Sequence, residues 1–323
     1  MTGTKYKRIA VVWIGVSLAG LSAPRSLAQA PAQIPAQGIA GDADAPLSTA
    51  RTAFLLKDFN RAEAETRTYL AAHPHSAAGM YLMGHILESK HDPRPSLSWF
   101  TKAAATASPS AEDLRIVAMD YVLLDSYPDA LHWLSLSVEL DPHNAEAWYD
   151  LGRARMMQGD FHGAQHPLEQ ALQLEPKLVK VENNLGVVYE GENSPARAAE
   201  AYKLAIAWQQ SAPHPSEQPL LNYGKLLLTQ NHSAQALPLL RSAVTIAPND
   251  VKCNEEFARA LDKQGSFPDA IQYMANAIHL QPESARLHFE MGQIYRHAGQ
   301  QDKAKQELTL SQHLYGAKSS PDR

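Results

Sequence analysis

A small side chain returns along this chain every 34 residues, and no other feature limits its possible folds so tightly. From Gly84 the same place is held by Ala118, Gly152 and Gly186; after one slip of four residues come Gly224, Ala258 and Gly292, and Ala50 precedes the series. Twelve positions after each stands Ala62, Ser96, Ala130, Ala164, Ala198, Ala236, Ala270 or Ala304. A fixed period of this length means one supersecondary unit stacked on copies of itself, each burying its apolar face against its neighbours. Such an array has no single central cleft, so it favours binding over catalysis.

Residues 145–178, AEAWYDLGRARMMQGDFHGAQHPLEQALQLEPKL, show the unit most clearly. Trp148, Leu151 and Arg155 lie three to four apart, which puts them on one face of a first helix. Gly159-Asp160 interrupts the pattern with a turn. A second helix carries Ala164, Leu168, Ala171 and Leu172, and Glu175-Pro176 ends it because proline cannot continue a helix. The small residues let the two helices close on each other: Gly152 from one side, Ala164 and Ala171 from the other. Added bulk there costs about 1–3 kcal/mol through overpacking. The Ala171 place is small in seven units, the exception being Tyr69 in the first, and Pro74, Pro142, Pro176, Pro248 and Pro282 close five of them.

These residues resemble the tetratricopeptide repeat, whose pattern is a large residue, leucine-glycine, tyrosine, alanine, an aromatic or leucine, alanine and proline. Trp148, Leu151, Gly152, Ala164, Leu168, Ala171 and Pro176 carry it in one unit; Leu185, Gly186, Tyr189, Ala198, Tyr202 and Ala205 carry it in the next; Met291, Gly292, Tyr295, Ala304 and Leu308 carry it near the C-terminus. The first unit departs from it, with Thr66 and Tyr69 where leucine and alanine are usual. A second departure is the four-residue excess in QQSAPHPSEQP, where Pro213, Pro215 and Pro219 mark a loop. The resemblance implies an all-α fold, a right-handed α-solenoid of about eight antiparallel helix pairs. The array spans 43–316, with units starting near 43, 77, 111, 145, 179, 217, 251 and 285, and a disordered tail follows at 317–323.

In that family the first helices of successive units line a concave groove that cradles a peptide or helix of a partner. Carried over by position, the resemblance implies a groove at Tyr81, His85, Arg115, Tyr149, Arg153, Asn183, Asn222, Lys225, Arg259, Lys263, Phe289 and Arg296. The last three units place Lys225, Lys252, Arg259, Lys263, Arg286 and Arg296 on that face against Glu255 and Asp262, so an acidic segment or a chain-terminal carboxylate is the expected partner there. Some family members clamp a C-terminal carboxylate with a fixed set of lysines, asparagines and an arginine. Asn222 and Lys252 fit two of those places, but Asn183, Val187 and Glu256 occupy the other three, so that clamp is not expected.

The N-terminus reads as an export signal. Lys5, Lys7 and Arg8 precede an apolar stretch from Ile9 to Ala23, and Ser26-Leu27-Ala28 offers the small residues of a cleavage site, giving a signal peptide at 1–28. The other reading is an uncleaved anchor, for which the apolar stretch is short of the roughly 20 residues a span needs. Residues 29–42 are Ala/Pro/Gln-rich and aperiodic, as a flexible spacer is. Removing 1–28 takes away four basic residues and no acid, so a net charge of −5 becomes −9. That balance gives no footprint for nucleic acid. One cysteine, Cys253, fits an exported protein without internal disulfides and reads as a half-buried helix thiol.

No motif points to chemistry. Of 14 histidines, His73 with His75, His85 with His91, and His162 with His166 come nearest to pairs, and none has the spacing of a zinc site. There is no Gly-rich phosphate loop, no Cys-x-x-Cys and no Gly-x-Ser-x-Gly. Glu255-Glu256 reads as a solvated helix face. The expected protein is non-catalytic, with no cofactor and no metal: a periplasmic or secreted scaffold or adaptor of the bacterial cell envelope that holds a protein or peptide partner and meets the membrane only through its N-terminal segment if uncleaved. The alternative is an accessory or regulatory subunit of an envelope machine (secretion, pilus or outer-membrane assembly) or of an envelope enzyme encoded on another chain.

Overall fold

The computed structural model describes residues 45–318; the candidate signal peptide, the spacer and the final five residues lie outside the described residues. Two compact units divide at Ser126/Tyr127. The first holds α1 (Ala45–Leu55), α2 (Phe59–Ala72), α3 (Ala77–Ser89), α4 (Pro93–Ala104) and α5 (Ala111–Leu123). The second holds α6 (Tyr127–Leu140), α7 (Ala145–Met157), α8 (Phe161–Leu174), α9 (Val179–Gly191), α10 (Pro195–Trp208), α11 (Gln218–Thr229) and α12 (Ser233–Ile246). It continues through α13 (Val251–Lys263), α14 (Phe267–Leu280), α15 (Ala285–His297) and α16 (Gln301–Lys318). Among the described residues every regular element is an α-helix, which makes the fold an all-α solenoid of helix pairs. None of these helices is long and apolar enough to cross a membrane.

Local chemistry sets where the helices begin and reverse. Ser76, Asn144, Asp160 and Asp250 each accept a hydrogen bond from a backbone N–H of the first turn, at 2.7–3.2 Å. Ser110 and Asp113 form a reciprocal capping box at the start of α5. Each turn from a first helix to its second contains one residue in the left-handed region: Lys57, His91, Asp125, Gly159, Asn193, Asn231, Gly265 and Gly299, with φ between 56° and 80°. Only three of the eight are glycine, so five units carry the steric cost of a β-carbon at this place.

Within a unit a second helix packs back on its own first helix and on the first helix of the following pair, as α4 does on α3 and α5, α8 on α7 and α9, and α12 on α11 and α13. First helices of consecutive pairs also touch: α1–α3 and α3–α5 in the first unit; α7–α9, α9–α11, α11–α13 and α13–α15 in the second. Within each unit no two second helices among the described residues do, so there the first helices lie on the inside of the curve. The buried side chains form a series of interfaces rather than one centre, as in the cluster of Leu240, Phe257, Met274 and Leu287 spanning α12–α15.

The recurrent glycine is a socket for the residue sixteen positions later. A methyl group on Gly152 would lie 2.6 Å from Leu168 Cγ and 3.3 Å from Ala164 O. Gly84 faces Phe100 in the same way, Gly186 faces Tyr202, Gly224 faces Leu240 and Gly292 faces Leu308. The spacing of these glycines predicts the close approach of two backbones; what fills the space is chiefly a large side chain. The first repeat solves its odd residues locally. Thr66 is buried and donates to Ala62 O at 2.7 Å, while the bulky Tyr69 is accommodated by Gly79 on α3, where a methyl would lie 3.1 Å from the ring.

Gly152→Val should destabilise the protein by about 1–3 kcal/mol. Adding Leu168→Ala should recover part of that loss although it is strongly destabilising alone, and chemical denaturation of the four proteins of this cycle measures the coupling.

Candidate partner-binding face

On the inside of the second unit, α7, α9 and α11 bring Tyr149, Asn183 and Asn222 into one neighbourhood. Asn222 Nδ2 donates to Asn183 Oδ1 at 3.0 Å, and Asn184 Nδ2 donates to Tyr149 Oη at 3.5 Å. Lys180 lies 4.3 Å over the Tyr149 ring and is paired with Glu146 at 2.6 Å. Lys180 and Asn184 are not among the positions that the family resemblance implies. Their spacing from Tyr149 is a repeat length of 31–35 residues, which local periodicity does not register.

Farther along, α11, α13 and α15 carry the basic strip. Arg286 contacts Glu255 Oε1, and Lys252 lies 3.6 Å from Glu255 Oε2. Arg259 pairs with Glu256 at 2.8 Å. Glu255 and Glu256 are 2% and 4% exposed, so the expectation of a solvated face is corrected: both face inward and take the strip's arginines as counter-ions. Counting Glu256, three acids oppose six cations. Burial, then the neighbouring positive charges of Arg286 and Lys225, lowers the Lys252 ammonium below the usual lysine range despite Glu256 and Asp250. Lys225 is exposed and has no ion-pair partner among the described residues. Lys263 donates to Asn231 Oδ1 at 3.2 Å, and Arg296 donates to Gln293 Oε1. Arg153 on α7 is half-buried without an ion-pair partner among the described residues, and Phe289 on α15 is 47% exposed.

In the first unit the candidate residues are committed to structure. Tyr81 Oη donates to Ala107 O at 2.7 Å, and burial, with the Asp113 charge nearby, raises its phenol above the usual range. His85 Nε2 lies 2.8 Å from Asp113 Oδ1 and packs edge-on to Phe100. Burial opposes the Asp113 carboxylate, yet bonds from His85 and Ser110 outweigh it and keep its pKa below the usual value. Arg115 is paired with Glu112 at 2.7 Å. Behind this face Asp120 is fully buried, with neither carboxylate oxygen hydrogen-bonded. The nearby Ser96 hydroxyl gives its bond to Gly84 O at 2.9 Å. Burial, reinforced by Glu88 and Asp92 and only softened by Ser96, pushes the Asp120 carboxyl up to about 8.

Cys253 is fully buried rather than half-buried, and burial with Asp250 nearby pushes its thiol up to about 12, so it is an unreactive packing residue. His162 is almost wholly exposed and lies 3.4 Å from Glu192, whereas His166 packs edge-on to Trp148. No group of three His, Cys, Asp or Glu side chains among the described residues is placed to hold a metal.

Stacked helix pairs with a polar inner face define a helical-repeat solenoid protein. A tetratricopeptide repeat model matches residues 149–215 and 256–309. The type IV pilus assembly protein PilF of Pseudomonas aeruginosa is 24% identical over 151 residues, covering 46% of this chain and 58% of that protein. Among solved structures, the APC/C hetero-tetramer Cut9–Hcn1 is similar with a TM-score of 0.62 and 18% identity, over 87% of this chain and 54% of that one. PilW, a type IV pilus biogenesis factor, is similar with a TM-score of 0.57 and 22% identity, over 65% of this chain and 95% of that one. The chain spans less than two thirds of the length of the curated relatives it matches. The repeated motif and the helix-pair fold agree with that match: residues 149–215 and 256–309 are tetratricopeptide repeats.

The buried Asp120 has a pH signature. Its folded pKa is raised above the unfolded value, so the folded state keeps the proton while the unfolded chain ionises, and stability falls as pH rises from about 4 to about 8. Asp120→Asn should match the wild type near pH 4 and be more stable by a few kcal/mol at pH 9. Thermal melts of both proteins across that range check it.

Proposed function

We propose that this protein is a non-catalytic interaction scaffold of the bacterial cell envelope, and that the inner face of its first helices holds an extended or helical segment of a partner protein. The observation that carries the reading is the strip on α11, α13 and α15, where six basic side chains meet three acids, two of them buried beneath it. A cationic surface of this kind steers an acidic segment and forms charge-assisted hydrogen bonds with its carboxylates. Lys225 and Lys263 are the contacts available to a partner, since Arg259 and Arg286 already neutralise Glu256 and Glu255. The charge sequence of residues 5–28 supports export to the periplasm or beyond.

A second reading is favoured by the similarity to PilF and the fold likeness to PilW. In it the chain is an accessory subunit of a pilus or related envelope machine, and the partner segment belongs to another component of that machine. Both readings use the same face.

Full chain immobilised as bait in envelope extracts should retain an acidic partner at low salt and release it as ionic strength rises. The double variant Lys225→Ala, Lys263→Ala, which leaves the buried ion pairs intact, should bind that partner about tenfold more weakly by titration calorimetry, with a shallower salt dependence. Equal affinity would remove the acidic-segment assignment, and recovery of cytosolic proteins alone would remove the envelope assignment.

A further inference from the structure

The connection from α10 to α11 takes nine residues, 209–217, where α8–α9, α12–α13 and α14–α15 are each joined by four. The longer connection is tied across its neck. Gln209 is buried, and its carboxamide bonds both backbone groups of Ser216, donating Nε2 to Ser216 O at 2.8 Å and accepting from Ser216 N at 2.9 Å. A bond from Ala212 N to Gln209 O, 3.0 Å, closes a turn at its start. The inserted residues are therefore a fixed wall rather than slack chain.

That wall encloses, with α7, α9 and the start of α11, a pocket of about 360 Å³. Val179, Ala212 and Pro219 give it apolar sides, and Asn183, Asn184 and Ser216 give it polar groups. No carboxylate lines it. Of its two basic side chains, Lys180 is held by Glu146 at 2.6 and 2.8 Å, and His214 stands exposed on the loop. A buried charge entering here would lose its hydration and find no free counter-ion. A flat apolar body with a polar edge suits the mixture of walls and amides.

We infer that this pocket is an anchor subsite that takes an aromatic side chain from the partner segment, with acidic residues of the same segment lying on the neighbouring basic strip. The two subsites adjoin: Asn222, bonded to the pocket residue Asn183, precedes Lys225 by one turn of α11, a rise of about 4.5 Å. The inference rests on the inner-face reading above and adds the anchor, and the inserted loop is what makes this repeat selective.

The probe is a phage-displayed library of random 16-residue peptides selected on the full chain, with circular dichroism confirming that each variant is folded. Selected peptides should carry an aromatic residue beside a run of aspartate or glutamate. Ala212→Trp, which fills the pocket from an exposed position, should weaken them at least tenfold, and Gln209→Ala, which unties the wall, should weaken them too. Peptides without an aromatic residue, or peptides indifferent to Ala212→Trp yet weakened by Lys225→Ala, would overturn the anchor and leave the inner-face reading standing. Peptides indifferent to both substitutions, or no selected peptides at all, would overturn both.

Discussion

The packing of this molecule rests on one steric fit, the seating of a large side chain from a second helix in the space left by a glycine on its first helix, which five of the helix pairs share. Gly84 with Phe100, Gly152 with Leu168, Gly186 with Tyr202, Gly224 with Leu240 and Gly292 with Leu308 repeat it at a separation of sixteen residues. Close packing at this point fixes how near the two helices stand, and so how much of the second helix remains to pack on the following pair. Because within each unit first helices touch one another and second helices do not, the same fit decides which face of that unit lies inside its curve. The small residues are packed away from solvent, and they set the spacing of the first helices that line the inner face.

This logic was largely legible in the sequence, because the period and the small residues are local facts. The helix pairs follow from the 3.6-residue apolar pattern and the turn residues, and the family resemblance rests on the same positions. The left-handed turn residue was not legible. Gly159, Gly265 and Gly299 announce it, but Lys57, His91, Asp125, Asn193 and Asn231 occupy the same place without glycine's signature. Pro167 and Pro238 sit inside α8 and α12, where each removes one backbone donor from the helix.

The candidate face was legible as a set of positions but not as a set of partnerships. Nothing local says that Asn222 bonds Asn183 thirty-nine residues away, or that Arg286 and Lys252 share Glu255. Those pairings separate the candidate positions. Tyr81, His85 and Arg115 spend their polar atoms within the first unit, and Arg259 neutralises a buried acid. Arg153, Lys225 and Lys263 have no ion-pair partner among the described residues, and they and the exposed Phe289 remain available. The lesson is electrostatic: a charge on the inner face recruits a partner only when no buried counter-ion already holds it.

The central claim, that partners bind on the inside of the curve, is tested most directly by site-specific photo-crosslinking of the full chain in bacterial cells. A photoreactive residue at Arg153, Lys225 or Phe289, on the first helices, should give discrete adducts with a partner protein. The same residue at Leu204 or Ser242, exposed on second helices, should give none. Adducts formed from Leu204 or Ser242, with none from the inner positions, would contradict the account.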